Sequence, residues 1–308
     1  MNKLKVAVIG AGKLGSLHAK IYSQLKDVHL AGVCDINKKT AMQVAAEYNT
    51  AYYTDYKDLL GAVDAASIAT PTSLHYKISK DFLNANTHLL IEKPITTSVE
   101  EADSLLSVAA KNNLVLSVGH IERFNSAIEA FQKLKGDIKF IECDRLGPFT
   151  PRVADVGVVL DLMIHDIDII LGLIKEKVVS IDAVGVSILT KHEDIANARI
   201  KFANGATCNI TASRVSTNPL RKIRIFQPGA YISINYIKQE AVLYRKFGKL
   251  IIPRKINIKK QQPLNKELSS FIECIRLGKK PLVSGEEGRD ALKIALEIID
   301  KIHSQPHA

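Results

Sequence analysis

The sequence predicts a two-domain α/β protein, with a doubly wound parallel sheet followed by an α+β domain on an open, mainly antiparallel sheet. Two observations favour this class. Up to about residue 120, short apolar strands alternate with amphipathic helices, which is typical of parallel sheets with crossover helices. Beyond that point most segments show the period of two that is typical of antiparallel strands. We therefore expect one domain at 1–120 and a second at 121–308.

A glycine-rich loop joins the first predicted strand, residues 5–9, to the first predicted helix. In a G-x-G-x-x-G loop the first glycine permits a tight turn, the second lets backbone approach a pyrophosphate, and the third lets the helix pack closely on its strand. The N–H groups at the helix start attract phosphate. This pattern is typical of a Rossmann domain that binds a dinucleotide. The expected cofactor contacts in the loop are Gly10, Gly12, Lys13, Leu14 and Gly15.

A carboxylate ends the second predicted strand, residues 28–34. Asp35 stands about 20 residues after Gly15, where an acid accepts hydrogen bonds from a ribose diol in such domains. Because a carboxylate repels the 2′-phosphate of NADP, Asp35 favours NAD. Lys38 and Lys39 follow closely and could offset that repulsion, so NADP stays open as an alternative.

Two further strand ends carry polar groups, and ligands of open α/β sheets bind beyond the carboxyl ends of the strands. Lys93 is an amine between an acid and a proline at such an end; the alternative is an exposed lysine that begins a loop. The further expected cofactor contacts are Thr70, Pro71, His75, Glu92 and Lys93.

The predicted elements after residue 120 are mainly strands. Asn204-Gly205 is a strong hairpin signal between two of them. Helices are expected at 122–134, 160–173, 264–277 and 286–302, and strands at 139–145, 178–189, 198–202, 207–213, 222–226, 231–237 and 255–259. Helices then cover one face of the sheet, so the other face is solvated or covered by another subunit.

The helix expected at 160–173 is apolar on most sides, yet Asp161, His165 and Asp168 share one stripe at i, i+4 and i+7, while Asp166 points elsewhere. Buried polar groups cost free energy unless they are paired, so the stripe favours a functional role. Neutral imidazole can accept a proton near neutral pH, and Asp161 would orient it. The alternative is that His165 is an ordinary core histidine.

Together these residues predict hydride transfer. An alcohol releases hydride to nicotinamide only as its hydroxyl proton leaves, so a base and a cation are needed at that oxygen. We expect His165 to take the proton, Lys93 to stabilise the developing alkoxide and Asp161 to hold both in place. The roles of Lys93 and His165 could be exchanged.

Composition argues against several other classes. The net charge is +10, but the basic residues between 220 and 260 lie in strand-like segments without a nucleic-acid motif, so we expect no nucleic-acid partner. The four cysteines form no C-x-x-C pair, which predicts neither a metal site nor a disulfide framework. No segment resembles a signal peptide or a bilayer span, so we expect a cytoplasmic protein without membrane contact.

Several motifs along the chain carry a family resemblance. They are Gly10-Ala11-Gly12-Lys13-Leu14-Gly15, Ala69-Thr70-Pro71 with His75, Glu92-Lys93-Pro94, Gly119-His120-Ile121-Glu122-Arg123-Phe124, Asp161 with His165, and Gly285-Glu286-Glu287-Gly288. On these motifs the chain resembles the glucose-fructose oxidoreductase/inositol dehydrogenase (Gfo/Idh/MocA) family over essentially its whole length. The resemblance implies an NAD(P)-dependent dehydrogenase of a sugar or cyclitol, with Lys93, Asp161 and His165 as catalytic residues and the open sheet used for dimer or tetramer formation. One departure is that many members have glycines where this chain has residues 155–159.

Within the family, residues 120–125, 145–149 and 155–158 resemble the branch that oxidises UDP-N-acetylglucosamine at C3. In that branch the 3-keto product goes to an aminotransferase, giving the diamino sugar of certain lipid A types. For each arginine below, a structural ion pair or plain exposure is the alternative. The implied substrate contacts are Lys93, Arg123, Asn125, Arg145, Arg152, Asp161 and His165, with the three arginines meeting the diphosphate.

Two other functions are compatible with parts of the pattern. A non-catalytic member would sense the cofactor as a regulator, but it would be expected to lack Lys93 or the Asp161 and His165 pair, and all three are present. A dehydrogenase of a free sugar, inositol or a tetrapyrrole would keep the cofactor half and change the substrate half. The sugar, the carbon oxidised, the direction of the reaction and the number of subunits stay open at this point.

Overall fold

The computed structural model describes residues 2–132, 136–150 and 155–304. The chain divides into two compact units. Unit 1 comprises Met1–Ile121 with Pro263–Arg289, and unit 2 comprises Glu122–Gln262 with Asp290–Ala308. The chain first passes from unit 1 to unit 2 after Ile121, one residue beyond the predicted domain boundary. The prediction placed residues 263–289 in the second domain, whereas in the structure they pack with unit 1.

Unit 1 is built on a six-stranded parallel sheet of order β3-β2-β1-β4-β5-β6, the doubly wound arrangement that the alternation predicts. The strands are β1 (Leu4–Ile9), β2 (Val28–Cys34), β3 (Ala51–Tyr53), β4 (Ala65–Ile68), β5 (His88–Glu92) and β6 (Leu116–Gly119). The helices between them are α1 (Lys13–Gln24), α2 (Lys38–Glu47), α3 (Thr72–Asn84) and α4 (Val99–Lys111). β3 was not predicted because it has only three residues and is largely exposed.

A helix from late in the chain completes the core of unit 1. α7 (Pro263–Leu277) is amphipathic, and its apolar side chains Leu268, Phe271 and Ile272 are buried in one cluster with Val6 and Tyr22. The period of 3.6 residues therefore predicts the helix but not the core that receives it.

Unit 2 is built on an eight-stranded sheet of order β14-β13-β12-β11-β7-β10-β9-β8, antiparallel except where β7 and β10 pair in parallel. The predicted fold class is confirmed. The strands are β7 (Phe140–Leu146), β8 (Val178–Val186), β9 (Ile195–Phe202), β10 (Thr207–Ser213), β11 (Leu220–Gln227), β12 (Ala230–Asn235), β13 (Glu240–Phe247) and β14 (Leu250–Ile256). The helices are α5 (Ser126–Gln132), α6 (Ile164–Leu173) and the part of α8 (Gly285–His303) that follows residue 289.

One hydrophobic core lies between this sheet and its helices. Ile141, Ile210 and Ile223 from the strands are buried with Met163 and Ile167 from the helical segment. Asn204-Gly205 connects β9 to β10 as predicted, and Gly205 takes the left-handed conformation (φ +83°) that the turn requires.

The edge of this sheet differs from the prediction. The strand expected at 255–259 was wrong in position, because β14 ends at Ile256 and pairs with β13, which was not predicted. Every residue of β14 before Ile256 is exposed, so burial imposes no clean alternation on the edge strand.

Several sequence expectations concern absences. Among the described residues, no helix is long and apolar enough to cross a membrane. The described residues contain no group of three or more His, Cys, Asp or Glu side chains placed to hold a metal ion. All four cysteines are buried free thiols.

Candidate active site

The three glycines of the glycine loop differ in their surroundings, because the fold requires glycine at two of the positions and leaves open space at the third. Gly10 has φ +95°, and a Cβ there would lie 2.5 Å from the Ala69 carbonyl oxygen. A Cβ on Gly15 would lie 1.7 Å from the Gly10 carbonyl oxygen, so α1 can pack here only without a side chain. A Cβ on Gly12, the N-cap of α1, would meet no atom within 4 Å. The open side of Gly12 therefore fits the close approach of a pyrophosphate.

The Asp35 carboxylate connects this loop to the turn after β2. Its Oδ2 accepts a hydrogen bond from the Ala11 N–H (2.8 Å) and its Oδ1 accepts one from the Asn37 N–H (2.8 Å). A carboxylate oxygen has two lone pairs, so each oxygen keeps acceptor capacity for a ribose hydroxyl. Lys38 and Lys39, at the start of α2, are exposed. The residues of this strand end therefore fit a dinucleotide.

His75 is buried in α3 between two main-chain carbonyl groups. Its Nδ1 lies 2.9 Å from the Pro94 oxygen and its Nε2 lies 2.9 Å from the Thr70 oxygen. Burial lowers the pKa of His75 more than the two carbonyl groups raise it, so near neutral pH the ring carries one N–H and donates it to one of the two oxygens. The side chain lies between the loops after β4 and β5. A direct contact between His75 and the cofactor stays a prediction.

The Glu92-Lys93-Pro94 turn ends β5 with a buried acid and a half-buried lysine. Glu92 Oε1 lies 3.2 Å from His18 Nε2, and Glu92 Oε2 accepts a hydrogen bond from the Lys93 N–H (3.3 Å). A Cβ on Gly119 would lie 2.8 Å from the Glu92 carboxylate, which fills the space beside β6. Glu92 is thus turned inward and supports the turn, while its predicted contact with the cofactor stays a prediction. Sequence reasoning did not identify His18 as part of the site.

In unit 2, Asp161 and His165 lie on one helical segment, Asp161 in the turn before α6 and His165 in the first turn of α6, and both are half-buried. The segment begins with an unpredicted π-helical turn, Val159–Met163, which contains Asp161. Such turns are rare and often occur at functional sites. The three residues of the predicted stripe differ in their surroundings. Asp161 and His165 are half-buried, whereas Asp168 is fully buried and pairs with Arg123, with 3.3 Å between Arg123 Nη1 and Asp168 Oδ1.

The loop between β8 and β9 holds the start of this helical segment. The Glu193 carboxylate accepts a hydrogen bond from the Val159 N–H (3.2 Å), and the Glu193 carbonyl accepts one from the Val158 N–H (3.0 Å). A Cβ on Gly157 would lie 1.9 Å from Glu193 Oε1, so glycine is needed there. Sequence reasoning missed Glu193, and only the lone glycine before the helix points to it.

A second acid in the same loop anchors the loop itself. Asp194 is fully buried and accepts hydrogen bonds from the N–H groups of Ile188, Leu189 and Thr190 and from Arg214 Nε (2.6 Å). Arg214 also donates to the Val156 carbonyl oxygen (2.6 Å). Burial alone raises the pKa of Asp194, but the backbone donors and Arg214 outweigh burial and hold it well below its ordinary value.

Two of the three arginines predicted to meet a diphosphate, Arg123 and Arg145, are buried in ion pairs. Arg145 Nε and Nη2 donate to the two oxygens of Asp166 (2.7 and 2.9 Å), and Arg145 Nη1 donates to Glu122 Oε1 (3.0 Å). Burial lowers the pKa of Arg145, but the Asp166 charge and hydrogen bonds outweigh it and raise it well above its ordinary value. Arg123 is 3 % exposed and fills the space beside Gly172, where a Cβ would lie 2.4 Å from its Nη1.

Neither guanidinium faces solvent, and both form the ion pairs that were the structural alternative to a substrate contact. A contact of Arg123 or Arg145 with a diphosphate stays a prediction. Arg152 lies outside the described residues. Asn125, also predicted to contact substrate, is 3 % exposed and uses its amide on Glu122 Oε2 (3.3 Å), the Tyr236 carbonyl (3.3 Å) and the Ala127 N–H (3.1 Å). It therefore stabilises the start of α5.

Comparison with known proteins gives matches along the whole chain. The family model for the Gfo/Idh/MocA oxidoreductase family with an NAD-binding Rossmann fold matches residues 4–120, and the GFO/IDH/MocA C-terminal domain matches residues 133–229. The UDP-N-acetylglucosamine 3-dehydrogenase of Acidithiobacillus ferrooxidans is 37 % identical over 305 residues, which is 97 % of each chain. The inositol 2-dehydrogenase of Rhizobium meliloti is 26 % identical over 95 % of this chain and 94 % of its own.

Solved structures agree with these matches. A structure of UDP-N-acetylglucosamine 3-dehydrogenase from Acidithiobacillus ferrooxidans has a TM-score of 0.94 and 36 % identity, with 99 % of both chains covered. A levoglucosan dehydrogenase with a TM-score of 0.88 and 19 % identity over 98 % of both chains shares the fold. The glycine loop, the Asp35 turn and both family models agree, and the chain belongs to the Gfo/Idh/MocA oxidoreductase family, with an NAD-binding Rossmann domain in its first part.

Proposed function

We propose that the protein is an NAD-dependent dehydrogenase that oxidises the C3 hydroxyl of UDP-N-acetylglucosamine to the 3-keto sugar. The observation that carries the proposal is the 37 % identity, over 97 % of both chains, to an enzyme named for that reaction. Inositol dehydrogenases match almost as much of the chain at lower identity, so oxidation of a free cyclitol is the alternative.

The cofactor half of the proposal rests on unit 1. The loop from Gly10 to Gly15 would hold the pyrophosphate, and Asp35 would accept hydrogen bonds from the adenosine ribose. When bound, NAD supplies the acceptor for the hydride that leaves the sugar carbon. Asp35 favours NAD over NADP by charge, while Lys38 and Lys39 keep NADP as an alternative to be measured.

The chemical half rests on three half-buried side chains. In this proposal His165 accepts the proton of the C3 hydroxyl, since neutral imidazole can act as a base near neutral pH. The Lys93 ammonium stabilises the alkoxide that develops at the same oxygen, which favours charge formation in the transition state. Asp161 orients His165. The proton acceptor could also be Lys93, with His165 as the stabilising group.

We also propose self-association through the open face of the unit 2 sheet. A row of half-buried aromatic rings crosses four strands on the face opposite the core. Neighbouring ring centroids along the row lie 5.8, 5.2 and 4.4 Å apart. Residues next to them in the strands, such as Ile141 and Ile225, face the core. The rings belong to Phe140, Phe226, Tyr231 and Tyr244.

The test is turnover with a panel of alcohols. The protein is mixed with NAD or NADP and with UDP-N-acetylglucosamine, N-acetylglucosamine, glucose or myo-inositol. Formation of NADH or NADPH is followed while hydroxylamine traps the ketone. We expect turnover with NAD and the sugar nucleotide, and oxidation at C3 in the trapped product. Preferred turnover of inositol would overturn the substrate. Cofactor binding without turnover of any alcohol would favour a regulator.

Variants test the assigned roles. Lys93→Ala and His165→Ala are each expected to abolish turnover while NAD affinity stays near that of the unaltered protein, because neither side chain is needed for the glycine loop. A rate like that of the unaltered protein in either variant would remove that residue from the catalytic set. NAD affinity is measured by titration of the cofactor without sugar, so the binding result does not depend on the substrate assignment.

A further inference from the structure

We propose that His18 is a positioning residue for the Lys93 ammonium and that it acts through the Glu92 carboxylate. The inference deepens the proposed function and rests on it, since it concerns the group assigned to the alkoxide. His18 lies on α1, one turn after Gly15, and has no exposed surface. Its ring packs edge-on against Tyr22, with centroids 6.5 Å apart.

The His18 ring lies directly beside the Glu92 carboxylate. His18 Nε2 lies 3.2 Å from Glu92 Oε1, although the angles are not those of a hydrogen bond. Glu92 is 8 % exposed, so little water reaches its carboxylate. A buried carboxylate is costly unless a partner compensates its charge, and in this part of unit 1 the imidazole lies beside Oε1.

The other Glu92 oxygen reaches the backbone of the catalytic lysine. Glu92 Oε2 accepts a hydrogen bond from the Lys93 N–H (3.3 Å), so the carboxylate spans from His18 to the main chain of Lys93. Gly119 lies directly against the Glu92 carboxylate, because a Cβ on Gly119 would lie 2.8 Å from Glu92 Cδ and from both carboxylate oxygens. Without His18 the carboxylate loses the partner that holds Oε1, and the Lys93 backbone loses a fixed acceptor.

This chain of contacts links two parts of the cofactor domain. α1 begins at the glycine loop that would receive the pyrophosphate, and Lys93 would act at the reacting oxygen. A displacement of about 1 Å of a catalytic group can lower a rate about 100-fold, so support of the Lys93 backbone affects turnover more than cofactor affinity. A role in packing alone would instead lower stability and leave the rate of folded enzyme unchanged.

The first test compares two substitutions at His18 with a matched control. His18→Leu removes the polar partner of Glu92, whereas His18→Gln keeps a donor on a flexible side chain. The control is His88→Leu, since His88 lies at the opposite end of the same strand, β5, from Lys93 and accepts a hydrogen bond from the Val115 N–H (2.9 Å). We expect His18→Leu to lower kcat about 100-fold with KM and NAD affinity within about threefold. His18→Gln should recover most of the loss, and His88→Leu should leave kcat nearly unchanged.

A double-variant cycle tests the route through Glu92. Glu92→Gln should lower kcat by a similar factor, and His18→Leu combined with Glu92→Gln should be no slower than the worse single variant, because both interrupt one path. If the two losses in kcat multiply in the double variant, His18 and Glu92 act independently, and the proposed route from His18 through Glu92 is wrong. Equal losses in His18→Leu and His88→Leu would show a general stability effect and would also overturn it.

A second measurement does not depend on the substrate. Lys93 is labelled with acetic anhydride and its modification rate is measured by mass spectrometry, with Lys80 as internal reference because its Nζ donates to Tyr76 Oη (2.8 Å). We expect His18→Leu to change the Lys93 rate by at least about threefold, with the Lys80 rate constant, because the surroundings of the ammonium change. An unchanged Lys93 rate would overturn the proposal. A changed rate in a protein that oxidises no alcohol would support the positioning role and reject only the proposed function.

Discussion

Replacement of Asp166 by Asn tests the conclusion that Arg145 is a structural cation. Asp166 is 1 % exposed and accepts two hydrogen bonds from Arg145, at 2.7 and 2.9 Å. Asparagine has nearly the same shape, but its amide has one acceptor oxygen and no charge. The substitution therefore leaves a buried guanidinium with Glu122 as its remaining described carboxylate partner.

The expected loss follows from the geometry. Hydrogen bonds to charged groups contribute about 1.5–3 kcal/mol each, and one of the two can be kept by the asparagine oxygen. Removal of one member of a buried ion pair costs about 3–5 kcal/mol. We expect Asp166→Asn to lower the free energy of unfolding of unit 2 by about 3–5 kcal/mol. For a unit of this size that corresponds to about 6–20 °C in Tm.

The matched control is an exposed ion pair that also uses a side chain of β7. Arg224 on β11 and Glu142 on β7 are in contact on the opposite face of the sheet, with side chains 41 % and 30 % exposed. Such pairs contribute about 0–1 kcal/mol, so Arg224→Ala should shift Tm by no more than a few degrees. Both variants are compared by urea and thermal denaturation. A loss below 1 kcal/mol for Asp166→Asn would refute the structural role of the Arg145 pair.

Three further predictions concern the glycine loop and the β8–β9 loop. Gly12→Ala should leave the Tm of the cofactor-free protein unchanged, because a Cβ there meets open space, but it should weaken NAD binding at least about tenfold. Gly15→Ala should instead lower the Tm of the cofactor-free protein. Asp194→Asn should be less stable than the unaltered protein at pH 7, and this difference in stability should shrink below about pH 4. The reason is that a carboxylate with a lowered pKa contributes stability only while it is ionised. Measurement of Tm against pH for both proteins tests this expectation. Glu193→Ala removes the acceptor of a helix N-terminal N–H and should cost about 1 kcal/mol by denaturation, with a lower kcat than Glu193→Gln.

The parts of the molecule that local rules determine could be predicted from the sequence. The glycine loop was one, because turn geometry and close helix packing each require the absence of a side chain at a fixed spacing. The parallel sheet was another, since alternating periods imply crossover helices. Neither inference needs to know which distant residues meet.

The misplaced residues depend on distant contacts. Arg145 lies on the same face of β7 as the buried Ile141 and Cys143, so the strand alternation by itself predicts that Arg145 points into the core. Its acidic partners lie on other elements, and the sequence does not show which elements will be neighbours. Likewise the π-helical turn at Asp161 lies next to the contact between Glu193 and Gly157, which are far apart in sequence. Family resemblance assigned Arg123 and Arg145 to a ligand, whereas the structure buries both in ion pairs with acids from other elements.

The position of α7 has a consequence for synthesis and for truncated forms of the protein. Leu268, Phe271 and Ile272 close a core that begins with Val6, so a nascent chain that has left the ribosome only as far as residue 262 still exposes apolar surface on β1 and α1. The nucleotide-binding half should therefore mature late, after most of the chain has been translated. A fragment that stops at residue 121 would lack this cover and should aggregate rather than serve as an isolated cofactor-binding module.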